Sequence, residues 1–249
     1  MQCIKNIFFI FGLLGASQFI YGDDHGSQMQ APIPVEFWVC EYKEGMDAVD
    51  LEPVIKEWKK TMGKRDYEAW MLTPSYARNG AMNNMVMFTG WWPSFSKMGE
   101  EVEYAMEKVN PKMDPKWNEV ITCGIHAEAT AVQTRDGMDT SLDSGVMSYA
   151  GCRLKEGKTV PELMQAHAKM SKFMDKIGID KVSSAVLFPG VGAGNDYDYT
   201  ITTWAPGMKV LGETFETAIA NGVAQAVSEV FGDVGECDNG ARFVGERIY

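Results

Sequence analysis

Of the three histidines in the chain, His167 carries the most chemical information. It stands on a stripe of Leu163, His167, Met170 and Met174, whose steps of four, three and four trace one face of an α-helix. An imidazole among apolar residues needs a hydrogen-bond partner or contact with water. Beside a pocket it would act as an acid or base near neutral pH; at a helix edge it would only be solvated. His126 and Glu128 alternate to one face of a strand. If that face looks into a lumen, the pair polarises a bound ligand; if it is an outer edge, water covers it. Tyr197, Tyr199 and Trp204 share a strand with aromatic and polar faces, and Asn84 precedes the corresponding strand of the first half. These are the candidate ligand-binding residues, with aromatic core packing as the bland alternative.

Gly190-Val191-Gly192-Ala193-Gly194 resembles a phosphate loop superficially. Asn195-Asp196-Tyr197-Asp198 follows it where a helix should begin, and the two aspartates would repel phosphate, so the dinucleotide-binding reading is rejected. A mobile loop over a pocket remains a reading of this segment.

The elements that must position these residues follow a pattern that recurs. Val39-Cys40-Glu41-Tyr42-Lys43-Glu44-Gly45 matches Gly151-Cys152-Arg153-Leu154-Lys155-Glu156-Gly157 at an offset of 112. Leu51, Ile55, Trp58 and Met62 match the His167 stripe, Trp91-Trp92-Pro93 matches Trp204-Ala205-Pro206, and Cys123 matches Cys237. The pattern predicts two tandem ferredoxin-like β-α-β-β-α-β units of the α+β class, over 35–133 and 145–249, joined by a polar linker at 134–144. Each unit leaves one sheet face open, so the two four-stranded sheets are expected to pack face to face as a pseudo-dimeric α/β barrel. In the first unit the helices are expected at about 50–62 and 94–108.

Cys40, Cys123, Cys152 and Cys237 test this topology. In each unit one cysteine lies near the end of strand 1 and the other just before strand 4, and those strands are antiparallel neighbours. The expected disulfides are therefore Cys40–Cys123 and Cys152–Cys237. The alternatives are pairing across the pseudo-twofold axis, or free or metal-binding thiols. No Cys-x-x-Cys occurs, and no His, Cys or Asp cluster has metal-ligand spacing.

Residues 1–22 read as an export signal, with Lys5 followed by the apolar run Ile7–Ala16, and 23–34 as a flexible segment. With paired cysteines this predicts a periplasmic or secreted protein. A net charge of -11 excludes a nucleic-acid backbone and an anionic membrane surface as partners. Seventeen methionines fit well-filled cores or a soft apolar pocket.

Arg153-Leu154-Lys155-Glu156-Gly157, the helix after it, the strand ending Phe188-Pro189-Gly190 and the strand-ending Trp204 resemble the dimeric α/β-barrel superfamily, with NIPSNAP-like and EthD-like members nearest. The first half carries Tyr42-Lys43-Glu44-Gly45 and Trp91 in matching places. That resemblance implies relatives among cofactor-free monooxygenases, small cyclases and isomerases, and haem enzymes related to chlorite dismutase. It makes haem on His167 the alternative to no cofactor.

The expected function is an exported small-molecule-binding or interaction protein taking a small apolar or aromatic ligand, with homo-oligomer formation left open. A second expectation is a small-molecule enzyme, of the cofactor-free monooxygenase or isomerase type or haem-dependent, with its pocket near His167. A third is a structural subunit of a periplasmic complex.

Overall fold

The computed structural model of the chain describes residues 31–77, 84–137 and 141–249. The export signal lies outside these residues, as do all but the last four residues of the flexible segment.

The chain runs β1 (Ile33–Tyr42), α1 (Ala48–Met62), β2 (Glu68–Tyr76), β3 (Met85–Trp91), α2 (Phe95–Tyr104), a π turn (Ala105–Val109), α3 (Asn110–Val120) and β4 (Ile121–Arg135). It continues through β5 (Ser144–Leu154), α4 (Val160–Lys176), β6 (Ser183–Pro189), β7 (Tyr199–Ala205), α5 (Met208–Ala220), α6 (Val223–Phe231), β8 (Gly235–Cys237) and β9 (Ala241–Arg247). Local chemistry starts the helices where it should. Asp47 caps α1 in a reciprocal box with Asp50, and Thr159 does the same for α4 with Glu162. The helix expected at 94–108 instead ends at Tyr104 and passes through the π turn into α3. Pro111 and Pro115 hid α3 from the sequence reading. Pro111 sits in its first turn, where no intrahelical N–H bond is lost, and Pro115 is accommodated inside.

The strands correct the expected fold. They do not form two tandem β-α-β-β-α-β units with separate sheets packed face to face. They form one continuous sheet in the order β7-β6-β4-β1-β3-β2-β9-β5-β8, closed by a further pairing of β7 with β5. The halves are joined by backbone hydrogen bonds at two seams, β4 with β6 and β2 with β9. Two sheets with four free edges would leave rows of unpaired N–H and C=O groups, and closure removes them. The sequence symmetry does not report this, because register between distant strands has no local signature. The tandem-duplication reading is therefore not retained.

β8 and β9 lie end to end along one edge of β5. The interruption between them turns on Gly240, at φ +64°, where an added Cβ would lie 2.3 Å from the Tyr149 carbonyl oxygen. Asp238 holds this turn by accepting from the N–H groups of Gly240 at 2.8 Å and Gly151 at 3.1 Å.

Helices cover the outside of the barrel. α1 and α3 bury Leu51, Val54, Ile55, Met113 and Val120 against Cys40, Ala69, Met71 and Val86. α4 buries Leu163 and Met164 against Cys152, Val186 and Tyr199, and α5 buries Leu211 and Ala218 against Val146 and Val182. Arg135, at the end of β4, is 8% exposed and anchors the end of α4 by donating to Asp175 Oδ1 at 2.5 Å and Ser171 O at 3.1 Å. His167 lies on the buried face of α4, 7% exposed, with its ring edge-on to Phe231 at 4.9 Å. Burial without a charge partner lowers its pKa to about 4.

The disulfides are Cys40–Cys123 and Cys152–Cys237, as the antiparallel neighbours required. Each joins residues directly opposite in the ladder, and a bulge between Val39 and Cys40 brings Cys123 into register. Non-reducing peptide mapping should recover these two linked pairs and no others. Replacing Cys152 and Cys237 together by serine opens a loop of 85 residues and should cost about 2–4 kcal/mol in denaturant melts.

His167 makes a separate prediction. Its folded pKa lies below its unfolded value, so the unfolded chain binds the extra proton as pH falls from about 6.5 to about 4. Its contribution to stability is complete above pH ~6.5 and is lost towards pH ~4, by up to roughly 3 kcal/mol. Melts across this range should show His167→Gln losing less stability on acidification than the parent; equal slopes would exclude the effect.

Candidate functional site in the barrel lumen

Strand alternation decides what faces the lumen. Val35 and Phe37 of β1, Met87 and Trp91 of β3, Trp70 and Leu72 of β2, Phe243 of β9, Met147 and Tyr149 of β5 and Trp204 of β7 meet inside. The remaining wall is built of Ala129 and Ala131 of β4 and Ala185 of β6, with Leu187 the larger residue among them. Large side chains on one wall and alanines on the other leave room for cavities that the core does not fill.

A cross-layer of aromatic rings divides that room. Phe37 meets Tyr149 edge-on at 5.9 Å, and Tyr149 meets Phe243 edge-on at 5.8 Å. Burial raises the pKa of the Tyr149 phenol, so it stays protonated. Its hydroxyl donates towards Met147 Sδ at 3.6 Å.

On one side of this layer lies a cavity of about 520 Å³. Four tryptophans line it, Trp70, Trp91, Trp92 and Trp204, with Ile33, Ala131, Met147 and Ala185. Its polar groups are Arg65, Asp66, Glu68, Gln133, Ser183, Ser184 and Thr202. Volume and lining are those of a site for a small, largely apolar molecule oriented by a few polar groups. Trp92 stacks on Tyr67 at 5.2 Å with 9° between planes, and its ring lies so close over Gly90 that an added Cβ would meet it at 2.8 Å. Trp204 packs on Gly145 in the same way, with Nε1 2.5 Å from where a Cβ would stand. Arg65 is held by Glu101, its Nε 3.5 Å from Oε2, and its guanidinium lies 3.3 Å over the ring of Tyr104.

On the other side a second cavity, of about 330 Å³, lies under the segment 189–197. Tyr197, Tyr199, Pro189, Ala193 and Gly194 line it. The glycine-rich loop extends the sheet: Glu128 N–H donates to Val191 O, and Gly190 N–H to Glu128 O, each at 2.8 Å. Gly192, at φ +79°, permits this close approach, because a Cβ there would lie 2.2 Å from the His126 carbonyl oxygen. The Tyr197 hydroxyl donates to Asp238 Oδ2 at 2.8 Å.

The candidate residues are thus dispersed. Trp204 lines the larger cavity, and Tyr197, Tyr199 and Glu128 contribute to the smaller one. His126 faces outward. It stacks on Trp38, with ring centroids 3.5 Å apart, and its Nε2 meets Glu36 Oε2 at 2.8 Å. Its carboxylate partner is Glu36, not Glu128. Asn84 donates from Nδ2 to Tyr42 O at 2.7 Å and borders neither cavity. His167 borders neither cavity, and its buried Nε2 has no hydrogen-bond partner. Among the described residues no three His, Cys, Asp or Glu side chains assemble as a metal site.

Sequence reasoning did not find Arg65, Asp66, Glu68 or Trp70. The signal was present in two places. Ala127-x-Ala129-x-Ala131 sets small residues on one face of β4, and Trp70, Trp91 and Trp204 fall at strand ends that antiparallel pairing brings to the same end of the barrel.

No family model matches the chain, and no curated protein matches it. Its fold is shared with solved structures at very low identity. A candidate monooxygenase from Fusobacterium nucleatum aligns at 8% identity over 87% of this chain and 93% of its own, with a TM-score of 0.55. A candidate monooxygenase from Lactobacillus acidophilus aligns at 10% identity over 88% and 95%, with a TM-score of 0.53. A chlorite dismutase variant from Candidatus Nitrospira defluvii aligns at 8% over 87% and 92%, at 0.50. These matches replace the resemblance to NIPSNAP-like and EthD-like proteins, since each spans both halves of the chain as one body. The fold is a single closed ferredoxin-like β-barrel of the kind found in chlorite dismutases and in these monooxygenase-like proteins.

Proposed function

We propose that the chain is a small-molecule enzyme whose substrate occupies the tryptophan-lined end of the barrel. The observation that carries this reading is the cavity of about 520 Å³, in which four indoles converge with the carboxylates Asp66 and Glu68. An indole wall binds a flat apolar body, and a carboxylate at its edge can take a proton from that body. The chemistry these groups support without a cofactor is proton abstraction from an activated carbon or hydroxyl, the first step of an isomerisation or of a cofactor-free oxygenation. Glu68 is the proposed base, being half-buried where Asp66 is exposed. Proteins of this fold described as monooxygenases are compatible with such a role. Two disulfides support placing the protein in an oxidising compartment outside the cytoplasm.

Haem on His167 is the second reading, and one observation favours it: a buried imidazole nitrogen without a partner. The surroundings do not fit the group. The ring is edge-on to Phe231, and neither cavity reaches it. No step is derived through haem.

Two measurements test these readings. Calorimetric titration with small aromatic probes should show binding that is lost in Ala131→Phe, which fills the cavity, while circular dichroism shows the barrel retained. Binding unaffected by that substitution would remove the site from the lumen. Titration with haemin should give no Soret band that depends on His167; a band lost in His167→Ala would reverse the choice between the two readings.

A further inference from the structure

We propose that the ligand of the tryptophan-lined cavity carries a positive charge, as a substituted ammonium or comparable organic cation on an apolar body. This rests on the cavity being the binding site, as inferred above, and adds the chemical class of what enters it.

The aromatic wall comes first. Trp70, Trp91, Trp92 and Trp204 all contribute to the lining, with Tyr67 beside them. The faces of these rings are electron-rich, and an array of them is the surroundings that hold a cation after its water is removed. One indole already shows this behaviour: the Arg247 guanidinium lies 5.2 Å from the centre of Trp70. Among the described residues no cation lies over Trp91, Trp92 or Trp204.

The charges of the lining point the same way. Asp66 and Glu68 are the anionic members, and Arg65 is the cationic one. Arg65 is already matched, since its Nε lies 3.5 Å from the Glu101 carboxylate, which is 6% exposed as a residue. The pair leaves Glu68 without a counter-charge from the lining, while the charge of Asp66 acts on Lys97, which lies outside the lining and is bonded to Glu100 at 2.7 Å. An anionic ligand would meet two carboxylates; a cationic one supplies the missing charge. Burial, more than any charge, holds the Tyr67 phenol protonated. It borders the cavity neutral, with its ring stacked on Trp92 at 5.2 Å and on Tyr249 at 4.8 Å.

The test is isothermal titration of the full disulfide-bonded chain with phenyltrimethylammonium, its uncharged isostere tert-butylbenzene, and benzoate. The cation should bind at least about tenfold more tightly than the isostere, and benzoate more weakly than both. Glu68→Gln should lower the ratio of cation to isostere affinity at least about threefold, and an unchanged ratio would overturn the charge assignment. Trp91→Leu should weaken the cation more than the isostere, and Ala131→Phe should abolish both. Equal affinity for cation and isostere would overturn the charge assignment and leave the cavity reading standing. Failure of all three probes to bind, or binding that survives Ala131→Phe, would overturn both.

Discussion

Closure of the sheet is the constraint on which the rest of this molecule depends. Eight strands form a ring through β1, β3, β2, β9, β5, β7, β6 and β4, with β8 prolonging the line of β9. Every long strand then has a hydrogen-bonded neighbour on both sides. Closure also fixes a lumen of limited width, which alternate residues of each strand must fill or leave open. Both cavities, the aromatic cross-layer between them and the outward position of His126 follow from which parity each strand presents.

The two disulfides belong to the same logic. Each links directly opposed residues of neighbouring strands on the helix-covered face. Cys40 and Cys152 are buried with the outer cores, while Cys123 and Cys237 are exposed. The crosslinks restrain the outer packing and keep the cysteines out of the lumen. The lumen is thus a largely aromatic and aliphatic chamber, with Thr89 and the Tyr149 hydroxyl among its buried polar groups. His167 belongs to the outer packing. Held between α4 and Phe231, it is a buried imidazole kept neutral by its surroundings.

Several features were legible in the sequence because they are local. The apolar stripes of α1 and α4 and the pairing of the cysteines each depend on residues close in the chain or on the antiparallel adjacency of two strands. The helix at 110–120 was not legible, because Pro111 and Pro115 imitate a break, although the first sits where the start of a helix absorbs it and the second is accommodated inside. The lumen parity of β4 was not legible either. Gly124 falls where the ladder bulges, so counting alternation forward from Cys123 gives the wrong face for His126.

By itself, the amino-acid sequence determined the disulfide partners, the apolar stripes of the first helix of each half and the acidic net charge of the chain. Only the tertiary structure decided that the strands close into one barrel, that His126 faces outward and His167 is walled off, and that four tryptophans from β2, β3, β7 and the loop after β3 share one cavity. The reason is one of range. Periodicity and capping act over a few residues, whereas a cavity is bounded by side chains brought together through strand register, and register is set by the backbone hydrogen bonds of strands far apart in the chain.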